Sequence, residues 1–172
     1  MPEVVVNHEQ MPDIRTEWNS FFHAVVPHPS EPLILMMCER EGWTLPRFGL
    51  DEKRWVANPS YFDHAVKRDL NIDAIALRCV FDEPRSGVDS VLVMENRSPS
   101  WKPPSQGRWC SRKELAGLTL TQHSQRAVIA ECLSELEGSD VPTQRPRWSR
   151  PGWFDSVIEW IGEELDKAGR TQ

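Results

Sequence analysis

The period of the apolar positions changes several times along the chain, and each change predicts an element. Leu33 to Met37 is a continuous apolar run between Pro32 and the polar Glu39-Arg40-Glu41, as expected of a central strand buried on both faces. Ahead of it a Val4-Val5-Val6 triplet and a short helix expected near Ile14 to Val26 lead into the proline-broken VPHPSEP, so residues 1–32 read as an N-terminal arm. After it, Gly42 turns the chain into Trp43-Thr44-Leu45-Pro46, and Arg54 to Ala57 is expected to form a further short strand.

Asn58-Pro59-Ser60 predicts a helix start, with Ser60 as cap and Asp63 three positions on. Phe62, Val66 and Leu70 recur every fourth residue beside Ala65, a one-sided apolar stripe that stops at Asn71. From Ala74 to Phe81 the period drops to two. Ile75, Leu77, Cys79 and Phe81 are expected on one face of a strand, and DEPRSG turns it into a second strand, Val88 to Glu95, as an antiparallel hairpin. Residues 96–108, NRSPSWKPPSQGR, are too polar and proline-broken for regular structure.

Thr121 is expected to cap a helix from about Gln122 to Glu137, with Ile129, Cys132, Leu133 and Leu136 on its buried side and Gly138 as its left-handed stop. A linker, SDVPTQRPRWSRPG, precedes a last helix from Trp153 to Lys167 with Phe154, Val157, Ile158, Ile161 and Leu165 on its apolar side. The element order predicts an α+β fold, one mixed sheet packed between helices plus a C-terminal amphipathic helix. The organisation is an arm at 1–32, an α/β core at 33–138, and a linker and helix at 139–172.

Composition narrows the partners. The 172 residues carry a formal charge of −6, which disfavours a phosphate backbone or an anionic bilayer, so neither nucleic acid nor membrane is expected. The longest apolar run, Leu33 to Cys38, is far short of the roughly 20 residues that span a bilayer, and MPEVVVNHEQ lacks the regions of a secretory signal. Four cysteines without a CxxC pair suggest neither a zinc site nor a disulfide framework, so a reducing cytoplasm is the expected location.

Two stretches carry a resemblance. LILMM, WTLPRF, FDHAVKRDL, IALRCVF, RWCSRKELAGLTL and the helix after Gln122 together resemble the Nudix fold in a divergent form. RPRWSRPGWFDSVIEWI, with QRAVIAECLSELEGSDVP, is similar to the connector that follows such a region in microbial aminoglycoside phosphotransferase-like proteins. That resemblance implies a kinase-type domain downstream in those longer proteins. These residues contain neither a catalytic-loop HxD nor a glycine-rich phosphate loop before a lysine strand, so no kinase activity is expected of them. A phosphotransferase-like protein is instead an expected partner, with Trp153 to Leu165 as the docking surface.

The Nudix signature, G-x5-E-x7-R-E-U-x-E-E-x-G-U with U aliphatic, implies carboxylates that hold a divalent metal at a diphosphate. Aligned on Arg68-Asp69-Leu70, this chain places Arg54 at the leading glycine, Ser60 at the loop glutamate, Ile72 and Asp73 at the paired glutamates and Ile75 at the late glycine. The box is degenerate. The resemblance then implies a small-molecule- or protein-binding module without a cofactor. The alternative is a hydrolase, or a metal-free acid/base enzyme, using the same cavity. If enzymatic, its catalytic acids are Asp51, Glu52, Asp69 and Asp73, with Mg²⁺ when the substrate is a diphosphate. Asp82, Glu83, Glu95 and Glu114 are further acids at strand ends and loops, and solvated carboxylates are the competing reading for all of them.

The histidines show no HxxxH, HxH or HExxH spacing. Eight tryptophans are many for this length. Trp43, Trp55 and Trp101, with Arg47 and Lys102 nearby, are candidates to stack on a flat ligand and pair with its anion; loop bracing and core filling compete with this. Arg145, Arg147 and Arg150 among Trp148 and Trp153 read as an interdomain brace built by guanidinium–indole stacking.

Overall fold

The computed structural model describes residues 21–50, 59–80, 90–139 and 142–169. The strand expected at Arg54 to Ala57 and the candidate residues Asp51, Glu52 and Trp55 lie outside the described residues, as do Ile14 to Ser20 of the expected first helix and the acids Asp82 and Glu83. The described strands are β1 Phe21–Val25, β2 Ile34–Glu39, β3 Gly42–Thr44, β4 Arg47–Gly49, β5 Ala74–Val80, β6 Ser90–Asn96 and β7 Gly107–Cys110. The helices are α1 Ser60–Leu70, α2 Arg112–Gly117, α3 Gln125–Leu136 and α4 Trp153–Gly169.

The fold is α+β, with sheets flanked by helices and a C-terminal helix. Where one sheet was expected there are two: a mixed sheet ordered β4-β1-β6-β5, and an antiparallel one ordered β3-β2-β7 with the LILMM strand in its middle. The first correction is β1. Phe21 to Val25 is a strand and not the end of a helix, and it runs parallel to β6 at the centre of the mixed sheet. Its physical reason is two-sided burial. Phe22 and Ala24 enter one apolar cluster and Val25 the other, and a strand covered on both faces loses the alternation that would have marked it.

The two clusters define the layers. On one face, Phe62, Ala65 and Val66 of α1 and Ile72 just beyond it cover Phe22, Leu92 and Met94. On the other, Ile129, Cys132 and Leu133 of α3 and Leu115 of α2 cover Val25, Ile34, Val91 and Val93. Each fully buried large side chain here contributes on the order of 2 kcal/mol.

Helix termini depart from the expected caps. Ser60 is the first residue of α1, which begins after Pro59 without a side-chain cap, while Asn71 takes the left-handed conformation (φ 56°) and ends the helix as expected. Helix α3 starts at Gln125, not Gln122, because Gln125 is withdrawn into the interior. Its Oε1 accepts from the Leu45 amide at 3.0 Å and the Thr44 hydroxyl at 3.3 Å, and its Nε2 donates to Gln122 Oε1 at 3.0 Å. At the other end Gly138 (φ 67°) closes α3 as expected. Its amide donates to the Glu135 carbonyl and the Ser139 amide to the Ser134 carbonyl, the paired bonds that absorb the orphan carbonyls of a helix end.

Strand β5 breaks the expected alternation. A bulge between Ala76 and Arg78 shifts its register against β6, so Ala76 and Cys79 pack toward α1 while Val80 packs toward α3. Arg78 also faces the α3 side, and there it meets the connector. Arg78 Nη2 donates to Glu135 Oε2 at 2.7 Å and Nη1 to the Ser149 carbonyl at 2.6 Å; Arg145 Nη1 lies 2.8 Å from Glu135 Oε1, and Arg145 Nη2 pairs with Glu131. Arg150 Nη2 donates to the Arg145 carbonyl at 2.8 Å. Residues 145–150 are therefore held against the body by carboxylates and carbonyls, where guanidinium–indole stacking was expected, and Trp148 is exposed.

Glu135 is nearly fully buried, whereas Glu131 is 43% exposed. Glu135→Ala leaves two guanidinium groups without their shared partner and is expected to cost about 3–5 kcal/mol, while Glu131→Ala costs less than about 1 kcal/mol. Urea denaturation of both variants checks this; equal midpoints would show that the brace does not hold the fold.

Candidate functional site

Helix α1 presents its acids on the solvent side of its apolar stripe. The Arg68 guanidinium forks onto Asp69, Nε donating to Oδ1 at 2.6 Å and Nη2 to Oδ2 at 2.9 Å, and Nη2 also reaches the Gly49 carbonyl at 3.0 Å. Asp73, beyond the helix, pairs with Lys67 Nζ at 2.8 Å and is 68% exposed. Asp63 turns inward instead, its Oδ1 accepting from the Ala76 amide of edge strand β5 at 2.8 Å, and burial raises its pKa.

A divalent ion beside a diphosphate needs carboxylates with lone pairs turned toward it. Asp69 gives both oxygens to one guanidinium, and Asp73 is tied to an ammonium. Among the described residues no three His, Cys, Asp or Glu side chains converge closely enough to share a metal ion. The described donor set does not fit a caged Mg²⁺.

The aromatic candidates are engaged with the scaffold. Trp101 packs against the α1-side cluster, donates its indole N–H to the Leu70 carbonyl at 2.7 Å, and meets Trp109 edge to face with centroids 5.8 Å apart. Trp43 exchanges backbone hydrogen bonds with Thr119 and Thr121, packs against the α3-side cluster and carries the Arg108 guanidinium over its ring at 4.5 Å. Arg47 is exposed and lies 4.0 Å over the Phe21 ring, and Lys102 is exposed. Glu114, weighed among the further acids, is spent in a capping box: its Oε2 accepts from the Ser111 amide at 2.9 Å and hydroxyl at 2.7 Å, which lowers its pKa.

Glu95 is different. Along β6, Leu92 and Met94 face α1 while Val91 and Val93 face α3, and Glu95 continues the second set. It is 2% exposed. Its carboxylate sits at the N-terminus of α4, where Oε2 accepts from the Phe154 amide at 3.3 Å and Oε1 from the Asp155 amide at 3.4 Å. Burial, with the Asp155 charge adding to it, pushes its pKa up against the lowering effect of those amides. A cavity of about 200 Å³ opens beside it, lined by Pro27, Pro32, Leu136, Gly152, Asp155 and Glu95 itself among others. Sequence reasoning weighed Glu95 only as one acid among several. The available signal was a carboxylate closing the otherwise apolar run VLVME.

No family model matches the chain, and no curated protein matches it. Solved structures do. An ADP-ribose pyrophosphatase from Streptococcus suis aligns with a TM-score of 0.47 and 20% identity over 73% of this chain and 94% of that one. A UDP-X diphosphatase gives 0.47 and 12% over 67% and 62%. The E. coli dihydroneopterin triphosphate pyrophosphohydrolase gives 0.41 and 16% over 63% and 90%. These values describe a distant likeness and assign no activity.

The raised pKa of Glu95 sets the sign of a pH effect. Burial favours its protonated form in the folded chain, so the stability that protonation contributes is fully present below the ordinary carboxylate range and is lost as pH rises through the raised value. Glu95→Gln keeps an acceptor for the α4 amides without that charge. The stability of the native chain relative to Glu95→Gln is expected to increase as pH falls from 7, as read from urea midpoints at a series of pH values. A difference that stays flat, or shrinks on acidification, would contradict the assignment.

Proposed function

We propose that this chain is a Nudix-like domain that works as a small-molecule-binding module and does not hydrolyse diphosphates through a caged metal ion. The observation that supports this reading is the engagement of the α1 acids. The fork of Arg68 onto Asp69 satisfies the carboxylate that the signature would need for metal, and Lys67 neutralises Asp73 one turn away. Releasing either acid toward a cation would leave a guanidinium or an ammonium facing that cation at short range, which opposes binding. In this reading Trp43 and Trp101 shape the scaffold, and ligand contacts fall to the exposed cations Arg47 and Lys102 and to Trp55.

Phosphate release from a panel of nucleoside diphosphate compounds with Mg²⁺ or Mn²⁺ is expected to stay at the buffer rate. Asp51→Asn, Glu52→Gln, Asp69→Asn and Asp73→Asn are expected to change nothing in that assay. Turnover that EDTA abolishes and that any one of these substitutions removes would overturn the proposal in favour of a hydrolase.

A further inference from the structure

Helix α4 leaves the body of the protein after Val157, about one and a half turns from its start. Trp153, Phe154 and Val157 are half-buried against the connector, but every residue from Ile158 to Gly169 is exposed. Ile158 is 50%, Trp160 60%, Ile161 45% and Leu165 67% exposed, and Trp148, just before the helix, is 56% exposed. Scattered apolar residues on a surface need no explanation, but a contiguous stripe of this size does. Phe154, Ile158, Ile161 and Leu165 follow one another at spacings of four, three and four, the seam of a helix that packs on another helix. A projecting segment of twelve residues, Ile158 to Gly169, is marginal as an isolated helix in water, so its stability depends on what covers it.

Two features define that cover. Gly162 lies inside the helix on one border of the stripe, where a Cβ would meet open space, and Gly169 ends the helix one heptad on. Glycine inside a helix costs roughly 1 kcal/mol relative to alanine, and here it lowers the border so that a second backbone can approach closely. Beyond that border the side chains are Glu159 and Asp166, whereas Asp155, at the root of the helix, pairs with Arg97 at 3.8 Å. On the opposite border Glu164 is paired with Lys167 at 2.7 Å. The free charge along the seam is therefore acidic. A second copy would bring the same carboxylates together, and the chain as a whole carries −6. Residues 1–20 offer Glu3, Glu9, Asp13 and Glu17 against Arg15, again the wrong sign.

We propose that the projecting half of α4 is the docking surface for an amphipathic helix of a partner protein whose apolar seam is bordered by lysine or arginine. The proposal does not depend on the reading of α1.

The test uses the full chain and two synthetic helical peptides with the same Leu/Ile seam, one bordered by lysine and the other by glutamate. Fluorescence anisotropy of the labelled peptides, with sedimentation of the chain alone, gives the readout. The lysine peptide is expected to bind at least tenfold more tightly than the glutamate peptide, and to weaken as salt rises. Ile158→Asp and Leu165→Asp, whose folding is checked by urea midpoint, are each expected to reduce its affinity tenfold or more, and so is Gly162→Leu, which fills the low border. Equal affinity for the two peptides, no binding of either, or a dimer of the chain that Leu165→Asp dissociates would each overturn the proposal.

Discussion

The parallel pairing of β1 with β6 is the contact on which the rest of this structure depends. It sets Phe22 against Ser90 and Val25 against Val93, and in doing so places one buried strand from near the start of the described chain beside one from its middle. Parallel neighbours need a long crossover, and everything between them, β2 to β5 with α1, is that crossover. The pair has apolar cover on both faces, so each face must find its own helix. Helix α1 takes one side and α3 with α2 the other. At the C-terminal end of the same strand the alternation of β6 delivers Glu95 to the α3 side, where α4 begins.

That dependence explains what could be read from the sequence. Elements with one buried face announced themselves: the stripe of Phe62, Val66 and Leu70, the run from Ile129 to Leu136, and the stops at Asn71 and Gly138 all fall where the pattern places them. Elements whose position is set by tertiary contacts did not. Phe21 to Val25 has a histidine at its centre and is buried throughout its last four residues, so neither alternation nor helical spacing marks it. The bulge in β5 moves Cys79 to the face of Ala76, a shift that a strict period of two cannot contain. Gln125 reads as a surface residue at the start of a helix, yet it is withdrawn to satisfy Leu45 and Thr44 across the core.

The acids follow the same division. The spacing of Arg68, Asp69 and Asp73 was legible; their pairing with Arg68 and Lys67 was not, because partners of surface charges are chosen by rotamers and not by register. Trp101 stands among polar neighbours in sequence, and nothing in that pattern announces its contact with α1. Its indole N–H donates to the Leu70 carbonyl at the end of α1, one of the orphan acceptors every helix terminus leaves.

The connector joins these observations to α4. Glu135 is buried because Arg78 and Arg145 reach it from two directions, and that cluster holds residues 145–150 against the body so that α4 starts at Glu95. A carboxylate at a helix N-terminus favours the helix through the orphan amides and the dipole, but burial of the same carboxylate opposes its charge, and the raised pKa records which effect is larger. Helix α4 is thus held to the body at one end and uncovered at the other. Nothing within the described residues covers Ile158, Ile161 and Leu165, and the contacts at Glu95 set where that seam begins. Holding that start in place before contact removes ordering cost from the encounter, and this gives the buried ion cluster a consequence beyond the fold it stabilises.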